Sequence, residues 1–177
     1  MEILYIKVKV SVINTHGVIM PKHIVSGLRY LAAVELRKKG YTQREIAERL
    51  VMDRSTVSHY LNGRNISWNS IEIADVIRNL CPRDFSILTY ALVKDKEKTR
   101  NIVKICSIRK YECNVKNTCI ACGICVDVCF MSAIVLEDLK AQIDPNWCCG
   151  CILCGEQCPT NSIEIKEVED NGDNRTY

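Results

Sequence analysis

Cys119-Ile120-Ala121-Cys122-Gly123-Ile124-Cys125-Val126-Asp127-Val128-Cys129 is followed, 29 residues further on, by Cys148-Cys149-Gly150-Cys151-Ile152-Leu153-Cys154-Gly155-Glu156-Gln157-Cys158-Pro159. Both stretches spell C-x2-C-x2-C-x3-C, and the offset continues past them, Ala133-Ile134 matching Ser162-Ile163. A fixed-period repeat identifies the structural unit, here a set of thiols followed by a short β-prone segment. Twelve of the 177 residues are cysteine and nine of these fall between Cys119 and Cys158, so the chain is a thiol scaffold of some kind. It has no apolar run long enough to span a membrane. Its start, Met1-Glu2-Ile3-Leu4-Tyr5-Ile6-Lys7, lacks the order of a secretory signal. The expected setting is therefore the cytoplasm, where thiols stay reduced and metal binding outranks disulfides. Zinc sites pair C-x2–4-C knuckles with a distant second pair. Three cysteines at successive three-residue steps, with a fourth four residues on, suit iron–sulfur cubanes better, and zinc remains the alternative.

This spacing resembles that of bacterial-type two-cluster [4Fe–4S] ferredoxins, in which the fourth cysteine of each run serves the other cluster. The resemblance covers roughly residues 112–168 and implies two [4Fe–4S] clusters. It implies one held by Cys119, Cys122, Cys125 and Cys158, the other by Cys148, Cys151, Cys154 and Cys129. Gly123, Gly150 and Gly155 fit places where backbone N–H groups approach sulfur. Phe130 departs from the pattern, standing where the second copy has Pro159. Cys149 lies outside the pattern as a spare thiol or an alternate to Cys148. Cys81 is expected in a core, as buried free cysteines commonly are. Cys106 and Cys113 sit near a junction, where a redox or further metal role competes with packing. Ile120, Ile124, Val135, Leu136 and Ile152 are among the apolar residues expected to wrap the clusters. A segment of about 55 residues with so little core should be largely disordered without metal.

The first half of the chain is different in kind. Residues 1–110 hold 20 Lys/Arg against 10 Asp/Glu, a net of +10, whereas residues 111–177 hold 4 against 11, a net of −7. Alternation over residues 3–13 reads as a half-buried strand. A helical pattern starts near Val25 and ends before Gly40. Thr42-Gln43-Arg44-Glu45 is a capping box opening a helix to about Leu50, and Asp53 is the N-cap of another, from Arg54 to about Asn62. Further helical patterns cover about 70–80 and 83–104, with a charged surface or hinge at Lys94–Lys98. Residues 42–63 resemble the lambda-repressor-like helix-turn-helix of archaeal transcription regulators. Ile46, Ala47, Leu50, Val57, Tyr60 and Leu61 supply the inner faces, and Met52 plugs the turn. Val51 stands where that family usually has glycine. The resemblance implies that the second helix enters the major groove with Arg54, Ser55, Thr56, Ser58, His59 and Asn62 outward. Arg54 suits guanine and Asn62 adenine, while Thr42, Gln43 and Arg64 are placed for phosphates.

The fold class expected is therefore α+β. A helix-turn-helix domain with a leading strand covers 1–107, a two-cluster ferredoxin-like domain of short strands and helices covers 108–168, and 169–177 is a disordered tail. The expected function is a DNA-binding transcriptional regulator that senses redox state, oxygen or iron. The partners are double-stranded DNA, a second copy of the chain (through residues 66–104 and the N-terminal strand) and a redox protein. The alternative is a ferredoxin-type electron carrier, or small subunit of a redox enzyme, with the helical half for docking. His16, His23 and His59 pair with no acid in a catalytic pattern, so no enzyme is expected.

Overall fold

The computed structural model describes residues 21–64, 66–107 and 109–168. The strand expected over 3–13, His16 and the tail 169–177 lie outside the described residues. Helices come first: α1 (Pro21–Lys38), α2 (Gln43–Leu50), α3 (Arg54–Leu61), α4 (Trp68–Arg78), α5 (Pro82–Val93) and α6 (Lys96–Cys106). Short strands follow, β1 (Lys110–Val115), β2 (Ile134–Glu137), β3 (Lys140–Ile143) and β4 (Ile163–Val168), with α7 (Ile124–Val128) and α8 (Leu153–Glu156) between them. The result is a mixture of helices and small strands, with the helices gathered at the N-terminal side.

Helix α1, described from Pro21, already runs four residues ahead of its expected start near Val25. It buries Leu28, Ala32, Ala33 and Leu36. Gly27 marks its crossing with α4, where a Cβ would collide with the Ser70 carbonyl and Ala74. The Thr42–Glu45 capping box forms, with the Thr42 N–H donating to Glu45 Oε2 at 2.7 Å and the Glu45 N–H to Thr42 Oγ1 at 3.3 Å. These bonds hold the Glu45 carboxyl below its ordinary value. Asp53 has the extended backbone of an N-cap, but its side chain makes no capping bond. Val51 keeps the left-handed conformation of the turn (φ 51) although it is β-branched. The pattern expected over 83–104 is two helices. Lys94 turns left-handed (φ 56), and Asp95 restarts the chain as N-cap of α6 by accepting from the Lys98 N–H at 3.0 Å.

The strands pair as two antiparallel ladders. In β1–β4, Cys113 lies opposite Ile165, and in β2–β3 Glu137 lies opposite Lys140. The 29-residue repeat is also a backbone repeat. Left-handed residues recur at Ala121 and Gly150, at Gly123 and Ile152, and at Ser132 and Asn161. Helices α7 and α8 start one residue after the second of these pairs. Two cores result. One, between the ladders, gathers Cys125, Ile134, Ala141, Cys154 and Ile163. The other runs from the helix-turn-helix (Ile46, Ala47, Leu50, Val57) through Phe85, Ile102 and Val103 to Met131, Ala133 and Cys149. The helical half and the second cysteine run thus share one interior.

Candidate functional site

Two cavities collect the cysteines of the repeat. The first is lined by Cys119, Cys122 and Cys125 of the first run and by Cys158 of the second, with Ile120, Ile124, Leu136 and Thr160. The second is lined by Cys148, Cys151 and Cys154 of the second run, by Cys129 of the first, and by Cys149. Each run therefore sends its fourth thiol to the other run's cavity. All twelve thiols are free. Among the described residues no three His, Cys, Asp or Glu side chains converge on the position of a single metal ion. The thiols are spread around two spaces instead.

The crossing cysteines are held alike. The Ala133 N–H donates to Cys129 Sγ at 3.2 Å and the Ser162 N–H to Cys158 Sγ at 3.3 Å, at matching positions of the repeat. Thr160 adds a hydroxyl 3.5 Å from Cys158 Sγ. Burial raises Cys158, but these bonds outweigh it and hold the thiol below its ordinary value. The interior thiols go the other way. Burial pushes Cys148 and Cys154 up to about 12, and raises Cys125 as well. A thiolate there needs a positive centre to offset its desolvation, and a metal that takes these sulfurs must displace their protons.

The second cavity is built into the helical half. Cys149 is buried and sits 3.5 Å from the Ser86 hydroxyl of α5. Its hydrogen bond with Cys151 lowers Cys149 and raises Cys151. Phe130 meets Tyr90 of α5 edge-on at 5.3 Å, so the residue that replaces proline in the first copy is an anchor. The Arg100 guanidinium of α6 lies 4.9 Å from the centre of the Trp147 ring. Arg83 Nη1 of α5 donates to both Glu156 oxygens of α8 at 3.0 Å. Tyr111 of β1 covers Gly150 so closely that no Cβ would fit there.

In the helix-turn-helix, Ile46, Ala47, Leu50, Val57 and Tyr60 are buried, with Met52 and Leu61 partly buried against them. Arg54, Ser55, His59, Asn62 and Arg64 are exposed, whereas Gln43, Thr56 and Ser58 are half-buried. Asn62 is committed within its own helix, because its Nδ2 donates to the Ser58 carbonyl at 2.8 Å. Adenine would have to compete with that bond.

The remaining cysteines divide. Cys81 is exposed rather than in a core, since it is the N-cap of α5, its sulfur accepting from the Asp84 N–H at 3.5 Å. Cys106 is buried and pushed up to about 12 by that burial, which makes it an inert packing thiol. Cys113 is half-buried and raised, by burial first. Ile120, Ile124 and Leu136 line the first cavity as expected while keeping an exposed side, whereas Val135 and Ile152 are exposed and line neither cavity.

Residues 35–67 match the family model described as Helix-turn-helix, from the end of α1 to the approach to α4. The ferredoxin-type protein FwdE of Methanocaldococcus jannaschii is 37% identical over 150 residues, 84% of this chain and 99% of that protein. A stretch of that extent cannot avoid either residues 42–63 or residues 119–129, wherever it starts. An uncharacterized ferredoxin of the same organism is 36% identical over 58 residues, 30% of this chain and 75% of that protein. The pyruvate synthase subunit PorD of Methanothermobacter marburgensis is 35% identical over 51 residues, 29% of this chain and 59% of the subunit. No solved structure matches. No helix among the described residues is long and apolar enough to cross a membrane. With a relative of this identity matched from end to end, the chain belongs to the family of the ferredoxin-type protein FwdE.

Proposed function

We propose that the protein is a cytoplasmic iron–sulfur DNA-binding regulator. The parts are a helix-turn-helix domain (1–107), a two-cluster domain (108–168) and a tail (169–177). Cys119, Cys122, Cys125 and Cys158 hold one [4Fe–4S] cluster, and Cys148, Cys151, Cys154 and Cys129 the other. The donor set fits such a group, since four soft sulfurs spread around a space suit the four corners of a cubane, with backbone N–H groups donating to the sulfurs. Bound there, a cluster supplies one-electron chemistry and a metal-dependent fold. Arg54, Ser55, Thr56, Ser58 and His59 meet base edges, Asn62 can join them by giving up its bond to Ser58, and Gln43 and Arg64 hold phosphates. A homodimer sets the half-site spacing of about one turn of DNA.

The observation that carries the regulatory reading is the shared interior, in which Cys149, Met131 and Ala133 belong to the same core as Ile46, Leu50 and Val57. One added electron is a weak signal on its own. At ~20 Å in water it is worth only ~0.2 kcal/mol per unit charge, less in salt, whereas a switch needs several kcal/mol of differential binding. Filling or emptying the second site acts through packing and can supply that. The test is an anaerobically reconstituted full chain assayed together for iron, sulfide and retardation of operator DNA. Loaded protein should bind at least about tenfold tighter than stripped protein, and loaded protein held oxidised or reduced should bind nearly alike. A large oxidised-to-reduced difference with both sites filled refutes the occupancy lever.

The second reading is electron transfer, and the match to a ferredoxin-type protein over 99% of its length favours it. Alanine at Arg54 and His59 separates the two. Loss of operator binding supports the regulator, whereas unchanged binding with intact electron transfer supports the carrier.

A further inference from the structure

The two copies of the repeat have opposite surroundings. Position 120 of the first copy corresponds to position 149 of the second. Ile120 is 64% exposed, whereas Cys149 is 4% exposed and pressed against Ser86 of α5. Ile124 and Leu136 also line the first cavity and are exposed, and Cys122 itself reaches the surface. One thiol site is therefore rimmed by bare aliphatic side chains, and its twin is plugged into the helical core.

The hairpin beside that rim is more telling. Asp138 and Leu139 join β2 to β3 as a two-residue turn with both φ values positive, 49 and 58. Such a turn favours asparagine and glycine. Leu139 occupies it against backbone preference and is 87% exposed, so its side chain contributes nothing to packing. Lys140 Nζ donates to Asn117 Oδ1 at 3.1 Å, which ties the tip to the loop that leads into Cys119. A strained, bare leucine at a tethered tip points to a task outside the fold. On the hairpin itself the carboxylates Glu137 and Asp138 are exposed, while the Lys140 ammonium is engaged by Asn117.

We infer that the face formed by Ile120, Ile124, Leu136 and Leu139 is the electron-exchange surface of the protein, and that its occupant is a redox protein with an apolar contact face rimmed by lysine or arginine. The charge of the patch selects that rim, and the aliphatic centre excludes water. The inference rests on the cluster reading of the first cavity. In each encounter one electron leaves the donor centre, which is oxidised by one, and enters the acceptor centre, which is reduced by one. No bond is made or broken. The second site packs against the helical half, which leaves the first as the one rimmed by exposed apolar side chains.

The experiment uses the full, anaerobically loaded chain and lysine-rimmed cytochrome c as probe. Iron and sulfide content, operator retardation and reduction by dithionite are followed in the same samples. After reduction, the second-order rate of cytochrome reduction should fall roughly tenfold in Leu139→Gly with Ile120→Gln, the scale of losing a central interface contact. Leu139→Gly alone should slow the reaction without lowering the unfolding temperature, because Asp-Gly is the sequence that this turn prefers. Ile152→Asn, beside the other site, should change the rate less than about twofold. Glu137→Gln with Asp138→Asn should flatten its dependence on salt. Full iron with unchanged rates in the rim variants overturns the inference, as does an Ile152→Asn variant that slows exchange as much as they do. A rim variant that changes only sedimentation makes the face a contact between two copies and overturns it too. Failure of iron to fill the sites would instead sink the cluster reading beneath it.

Discussion

Single residues carry unusual strain in this chain. Val51 and Ile152 are β-branched and left-handed, a conformation that costs such residues roughly 1–2 kcal/mol. Val51→Asn should therefore raise stability by about 1 kcal/mol, seen as a higher unfolding temperature, and leave the inner faces of α2 and α3 undisturbed. Gly150 is the opposite case. It is left-handed (φ 73), and a methyl group there would enter the Tyr111 ring. Gly150→Ala should cost on the order of 1–3 kcal/mol, and iron per chain should drop from about eight towards about four as the second site fails to form. Iron analysis after gel filtration reads this directly. The cysteine spacing was legible because thiols have few roles at such density, and the capping box because its two hydrogen bonds need those residue types three apart. Cys81 was misread, since exposure depends on which residues end up beside the N-terminus of a helix and not on the sulfur itself.

At the scale of elements, the main surprise is the break between α5 and α6. Lys94 takes a left-handed conformation that carries no sequence signal, and the charges around it look the same on a solvated helix as in a turn. Asp95→Ala removes the side chain that caps α6 and should cost about 1 kcal/mol. Arg100, four residues into that helix, holds Trp147. The variant should therefore lose iron from the second site faster than the parent during dilution, with the first site unaffected, as followed by visible absorbance over time. The hairpin β2–β3 was hidden for a related reason. Its turn reads Asp-Leu instead of a sequence with glycine, so local preference argued against what the ladder imposes. The pairing of β1 with β4 joins residues some fifty positions apart, which no periodicity reveals.

At the scale of the molecule, charge and composition pointed to two parts, and the helices and strands do separate along the chain. Their union in one core could not be read from the sequence, because shared burial is a property of packing between distant segments. Phe130 and Arg100 sit on that seam. Replacing both with alanine should keep iron content near that of the parent while shrinking the difference in operator affinity between loaded and stripped protein, measured by retardation titrations of both forms. A retained difference would place the coupling elsewhere. The repeat holds one more lesson. Of the left-handed pairs, Ala121 corresponds to Gly150 and Gly123 to Ile152, so each copy of the repeat has glycine at a different one of the two turns. With glycine at both 121 and 152, the chain would gain a reserve of heat tolerance without altering a single sulfur.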